Sequence, residues 1–246
     1  MVALVISTGC GRGGRGSGPG SPTELRVAAA ASLTEVFTAL GARFEAAHPG
    51  VEVTFDFGAS SDLARAIEEG APADVFAPAD TRTMAQVVDA GLMAAGAPAV
   101  FARNRPEIAV PAGNPGSVHG LDDLARPELL VGLCAVEAPC GRLARVVLRN
   151  AGVSASVDTE EVDVKALVTR IAAGELDAGI VYHSDVVAVG DAVAGVAVPD
   201  DSALATYPVA ALAHASHPAA AAAFAAYLSS PPARAVLDRA GFLPPP

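Results

Sequence analysis

The sequence predicts an α/β fold of two lobes joined by a hinge, each lobe a mostly parallel sheet flanked by helices. Three observations carry this prediction. From Leu25 onward, short apolar runs alternate with helical stretches, and that βαβα order implies parallel strands covered on both faces. The pattern divides into two such units, about 25–104 and 105–204, and the segment 205–246 returns to the first. At 246 residues the chain can bury most of its apolar surface without staples or metals. Two crossings between the lobes make a hinge, and a cleft between lobes is a common ligand site.

Leu25–Ala29 reads as the first strand. Ser32-Leu33-Thr34-Glu35 reads as a capping box that opens a helix running to about Ala47, where His48-Pro49-Gly50 stops it. Val51–Phe57 alternates apolar and polar residues, the period of a strand. A helix over Ser61–Glu69, a short buried strand over Asp74–Ala77 and a helix over Thr81–Ala90 complete the first βαβαβα series. Pro98–Asn104 and Glu107–Pro111 are extended. Leu121–Ala125 is a short helix, Leu129–Cys134 a strand, and Gly141–Ala151 a helix ended by Gly152. Val164–Ala173 is a helix and Ala178–Tyr182 a strand. Strands over Ala194–Val198 and Thr206–Ala213 follow, then an Ala-rich helix from His217-Pro218 to about Leu228 and a last helix over Pro231–Arg239.

Composition excludes several classes. Charged residues are only 17% and about half the residues are hydrophobic, so a disordered chain is excluded. The net charge is −11 and Lys165 is the sole lysine, which argues against a nucleic-acid partner or a cationic membrane patch. An anionic small molecule remains compatible, because backbone N–H groups hold anions without net positive charge. No run of eighteen apolar residues exists, so no transmembrane helix is expected. Metal-ligand spacings, Walker loops and GxGxxG loops are also missing, so no metal is held directly and no cofactor is expected.

Three strand-to-helix junctions attract attention. Ala29-Ala30-Ala31-Ser32 and Gly58-Ala59-Ser60-Ser61-Asp62 each place a serine at a helix start, where N–H groups and the helix dipole favour an anion. Ordinary N-capping explains either loop alone. Two together, on adjacent strands of a parallel sheet, converge at the carboxyl edge where ligands bind. The third junction is Ala138-Pro139-Cys140-Gly141. A helix N-terminus lowers a thiol pKa, so a cysteine-dependent enzyme using Cys140 is the alternative from a different class. It needs a base, and His183 is the nearest to a candidate. Tyr182 ends a buried strand, and either a core role or a ligand role suits it. Cys134 and Cys140 are close enough in sequence to pair as a disulfide outside the cytoplasm.

Six motifs in order resemble one family. They are Ala28–Thr34 (AAAASLT), Phe57–Ala64 (FGASSDLA), Gly70–Phe76 (GAPADVF), Pro139-Cys140-Gly141, Gly179–Tyr182 (GIVY) with Ser184-Asp185, and Tyr207-Pro208-Val209. This series is similar to the periplasmic molybdate-binding proteins of ABC importers, over about residues 25–243. The resemblance implies a type II periplasmic-binding-protein fold, with lobe one built from 25–104 plus 205–246 and lobe two from 105–204. It implies a tetrahedral oxyanion, molybdate or tungstate, in the cleft, with sulfate as the chemical runner-up, and an ABC permease as partner to a monomer. Carried over by motif, Ser32 and Ser60 donate hydroxyl and backbone N–H groups, Cys140 and Val164 donate backbone N–H groups, and Tyr182 donates its hydroxyl. Only donors are needed, because molybdate is fully deprotonated at neutral pH, whereas phosphate keeps a proton that wants an acceptor.

The segment before the fold has a separate resemblance. Met1–Ile6 is apolar, Ser7-Thr8-Gly9 precede Cys10, and a Gly- and Ser-rich stretch follows to Pro22. This is similar to the end of a bacterial lipoprotein signal, in which Cys10 becomes the lipidated residue and residues 1–24 are a truncated signal and tether. The start codon then lies upstream. A plain tail with an incidental cysteine is the alternative. The expected location is extracytoplasmic.

Overall fold

The computed structural model describes residues 22–96, 98–199 and 203–246. The lipidation reading at Cys10 lies outside them. The first sheet takes β1 (Thr23–Ala30), β2 (Val51–Gly58), β3 (Val75–Ala77), β4 (Ala99–Asn104) and β10 (Ala205–Ala211), in the order β2-β1-β3-β10-β4. The second takes β5 (Pro106–Pro111), β6 (Val131–Cys134), β7 (Val157–Glu161), β8 (Ala178–Tyr182) and β9 (Val193–Ala197), in the order β7-β6-β8-β5-β9. In each sheet the first three strands of that order run parallel. The fourth strand, β10 or β5, pairs antiparallel with both its neighbours. The two sheets thus share one plan, and the chain crosses between them after β4 and again between β9 and β10.

The helices are α1 (Thr34–Ala47), α2 (Ser60–Glu68), α3 (Thr81–Asp89), α4 (Pro139–Ala151), α5 (Val164–Ala172), α6 (His183–Val189), α7 (Pro218–Tyr227) and α8 (Pro231–Arg239). α1 buries Val36, Phe37, Leu40, Gly41 and Phe44, the one-sided spacing of a core-facing helix. At Gly41 an added Cβ would lie 2.7 Å from the Phe55 ring, so glycine is what lets α1 lie close on β2. Phe37 and Phe44 both meet Phe224 of α7 edge-on, with ring centroids 6.1 and 5.2 Å apart. Each such fully buried ring contributes about 1.5–3 kcal/mol over an exposed one. Asp74, buried beside β3, accepts the N–H of Arg26 at 2.8 Å and of Ser216 at 2.6 Å, which ties β1 to the approach to α7.

The helix starts differ from the sequence expectation. Ser32-Leu33-Thr34-Glu35 does not form a capping box. Ala31–Leu33 is a 3-10 turn, α1 begins at Thr34, and no side chain caps either. The Ser32 hydroxyl turns inward instead, 3.0 Å from the Tyr207 hydroxyl. α2 likewise has no side-chain cap. α4 begins at Pro139, two residues before the expected start, because Pro is well suited to a first helical position.

Candidate functional site

The carboxyl ends of parallel strands from both sheets meet around one small cavity. Ala30-Ala31-Ser32 follow β1, and Gly58-Ala59-Ser60 follow β2. Ala138-Pro139-Cys140 come after β6, Asp163-Val164 after β7, and Tyr182 ends β8. Strands β1 and β2 are in register at Ala30 and Gly58, which sets the two serine loops side by side. Cys134 and Glu161 are partners in the same way, so the starts of α4 and α5 are neighbours. The structure therefore brings Ser32, Ser60, Cys140, Val164 and Tyr182 to the walls of one cavity, and all five are buried.

Apart from the Asp163 carboxylate, the polar side chains facing this space are hydroxyls that can donate. The Ser60 hydroxyl oxygen accepts the N–H of Ala79 at 3.1 Å, which leaves the Ser60 proton to donate elsewhere. At α4, Pro139 has no N–H, so Cys140 and Gly141 carry the unsatisfied donors of the first turn. At α5, the Asp163 side chain caps the helix by accepting from Ala166 N at 2.9 Å. That engages one oxygen, Oδ1, of the carboxylate lining the cavity and leaves the Val164 N–H among the first-turn donors. The Tyr182 hydroxyl is buried and has no hydrogen-bond partner. Burial pushes its pKa well above the ordinary tyrosine value, so it keeps its proton. An orphaned buried hydroxyl is costly, and a ligand that accepts its proton removes that cost.

Cys134 and Cys140 are joined in a disulfide, with Cα atoms 5.8 Å apart. The bond folds residues 134–140 over the start of α4. An added Cβ at Gly141 would sit 1.9 Å from the Ala135 carbonyl oxygen, so glycine is required where this loop closes. In the disulfide, Cys140 has no thiol to act as a nucleophile. His183 is engaged elsewhere, with its Nδ1 2.6 Å from a Glu107 carboxylate oxygen.

Charges outside the cavity tie the two sheets together. Arg142 of α4 reaches Asp80, which precedes α3, at 2.5 and 3.0 Å, and Thr83 at 2.9 Å. Lys165 of α5 lies 2.7 Å from Glu35 of α1 and 3.5 Å from the buried Asp185 of α6. Burial raises the Asp185 pKa to about 7 against the opposing pull of Lys165. Sequence reasoning named Tyr207 and Asp185 only within motifs and Lys165 only as the sole lysine, and gave none of these groups a role. The aspartates just before α3 and α5 were a readable capping signal, but partners across the cleft leave no sequence signal.

This architecture, two sheets of one plan with a donor-lined cavity between them, defines a solute-binding protein. Residues 25–243 match the family described as bacterial extracellular solute-binding protein, and the chain belongs to that family. The chain is 39% identical over 250 residues to molybdate-binding protein ModA of Mycobacterium tuberculosis (strain ATCC 25618 / H37Rv), covering 100% of this chain and 95% of that one. It is 31% identical over 230 residues to ModA of Escherichia coli (strain K12), covering 89% and 88%. The solved periplasmic molybdate-binding protein of Azotobacter vinelandii superposes with a TM-score of 0.80 at 20% identity, covering 90% of this chain and 100% of that one. The last comparison carries the two-lobed fold. No helix among the described residues is long and apolar enough to cross a membrane.

Proposed function

We propose that this chain captures molybdate between its lobes outside the cytoplasm and delivers it to an ABC transporter. The carrying observation is the Tyr182 hydroxyl, buried without a partner beside two serine hydroxyls and two helix starts. A dianion taken out of water needs every oxygen satisfied, and a hydrogen bond to an ion contributes about 1.5–3 kcal/mol. Ser32 and Ser60 supply donors from lobe one, 25–104 with 205–246. Cys140, Val164 and Tyr182 supply them from lobe two, 105–204. Neither lobe alone encloses the anion, so binding favours closure. The Arg142–Asp80 and Lys165–Glu35 pairs then form across the cleft. The permease partner receives the closed form, the carrier acts as a monomer, and a lipid on Cys10 holds it at the membrane.

Tungstate, a dianion of the same shape, binds as well as molybdate in this reading. Sulfate satisfies the same donors in charge but is smaller, and loose contacts weaken it. Thermal unfolding with each anion tests the reading. A ligand bound only by the folded state adds about 4 kcal/mol at a thousandfold excess over Kd. Molybdate and tungstate are expected to raise Tm strongly, and millimolar sulfate or phosphate little. Equal shifts with sulfate would assign a sulfate-type carrier, and no shift with any oxyanion would overturn the reading.

A further inference from the structure

Arg142, in the first turn of α4, donates in two directions. On its own side, Nη1 donates to the carbonyl oxygen of Glu137, in the loop closed by the Cys134–Cys140 disulfide. On the other side, Nε and Nη2 both donate to Asp80 Oδ2, at 3.0 and 2.5 Å, and Nη2 also donates to Thr83 Oγ1 at 2.9 Å. Asp80 caps α3, and its Oδ1 accepts the Thr83 N–H at 2.8 Å. Both oxygens of this carboxylate are therefore engaged, one by its own helix and one from the opposite lobe. The residue before it, Ala79, is buried and lines the anion cavity. Its N–H donates to Ser60 Oγ at 3.1 Å. Pro78-Ala79-Asp80 is the whole link from β3 to α3, so what holds Asp80 also sets where the Ala79 N–H points.

A serine hydroxyl has one proton and two lone pairs. The Ala79 N–H takes one lone pair of Ser60, which turns the Ser60 proton away from Ala79. If the link shifts, that hydroxyl rotates freely and offers its proton to the anion only part of the time. We propose that Arg142 is a positioning residue for the anion site: by holding Asp80 from the opposite lobe, it fixes the Ala79 N–H and, through it, the Ser60 hydroxyl. This rests on the molybdate reading above. Arg142 and Asp80 come from different lobes, so Ser60 is set only once the lobes have met. The arrangement also needs the planar fork of a guanidinium, which reaches Asp80, Thr83 and Glu137 at once. A pair that only added attraction between the lobes would behave differently. Its effect would not depend on Ser60, and a lysine ammonium would replace it.

The test is calorimetric titration of the full chain with molybdate, with folding checked by thermal unfolding. The proteins are wild type, Arg142→Gln, Ser60→Ala and the double variant. Arg142→Gln is expected to weaken molybdate binding about tenfold or more when Ser60 is present. In the Ser60→Ala background its factor should be smaller by about threefold or more, because its effect passes through that hydroxyl. Arg142→Lys keeps the charge across the cleft and loses the fork, so it should stay well below wild-type affinity. Asp80→Asn approaches the same contacts from the other lobe. It keeps a cap on α3 and loses the charge that Arg142 grips, and it should show the same dependence on Ser60. Wild type that binds molybdate, with Arg142→Gln and Asp80→Asn costing the same factor with and without the Ser60 hydroxyl, or with Arg142→Lys binding as wild type does, would overturn this inference alone. Wild type that does not bind molybdate would overturn the molybdate reading and this inference with it.

Discussion

Ser60 shows how a single side chain is prepared for its role. The Ala79 N–H takes one lone pair of its oxygen and leaves its proton free to donate. Ser60→Ala removes that donor and strands the Ala79 N–H. Calorimetry is expected to show molybdate affinity lower by about 1.5–3 kcal/mol with the fold intact; wild-type affinity would remove Ser60 from the site. Asp185 is prepared in the opposite sense. It is fully buried, faces Lys165 from α5 and Glu35 from α1, and accepts the Tyr182 N–H at 3.1 Å. Its pKa rises from 3.8 to about 7 on folding. The folded state therefore holds a proton that the unfolded chain releases between those values, and stability falls as pH rises through that window. Asp185→Asn keeps an oxygen to accept the Tyr182 N–H and loses this dependence. The Tm of the variant minus that of wild type should grow from pH 5 to pH 8, with about 3 kcal/mol as the upper bound on the stability gain over that range. A difference independent of pH would contradict the assignment.

At the scale of elements, the start of α4 carries the sharpest test. Cys140 is placed to offer its backbone N–H, and the disulfide holds the loop that presents it. Cys140→Ser and Cys140→Pro both lose that bond, at a stability cost of about 2 kcal/mol. They differ in the N–H, which serine keeps and proline deletes. In titrations the serine variant is expected within about tenfold of wild type, roughly 1.4 kcal/mol, and the proline variant far weaker. Equal affinities would show that this N–H does not reach the anion. The elements themselves were unevenly legible. Strands with apolar runs, such as β1 and β8, stood out because both faces are covered. β7 was missed because Val157-Asp158-Thr159-Glu160-Glu161 is an edge strand with no apolar run. It is held by pairing to β6 and by Arg145–Glu160 and Arg170–Glu161 contacts. The seven-residue α6 was missed as well, being too short to show a period. The sequence places Ser32 at the cavity it lines, yet suggests a helix cap for its hydroxyl, because its partner Tyr207 is 175 residues away.

For the whole molecule, the central feature is one cavity lined by residues from both sheets, of a kind that suits a single tetrahedral dianion. Neither sheet closes the cavity alone, and the chain crosses between them after β4 and before β10. The Arg142–Asp80 pair bridges them with side chains only about a fifth exposed, 20% and 23%, so it adds to closure more than an exposed pair does. The direct measurement is anomalous diffraction at the molybdenum absorption edge from crystals grown with molybdate. The account predicts one molybdenum position per chain, between the lobes, with its oxygens in hydrogen-bond reach of the Ser32, Ser60 and Tyr182 hydroxyls and of the Cys140 and Val164 N–H groups. A molybdenum position on the surface, or within one lobe away from these residues, would contradict it.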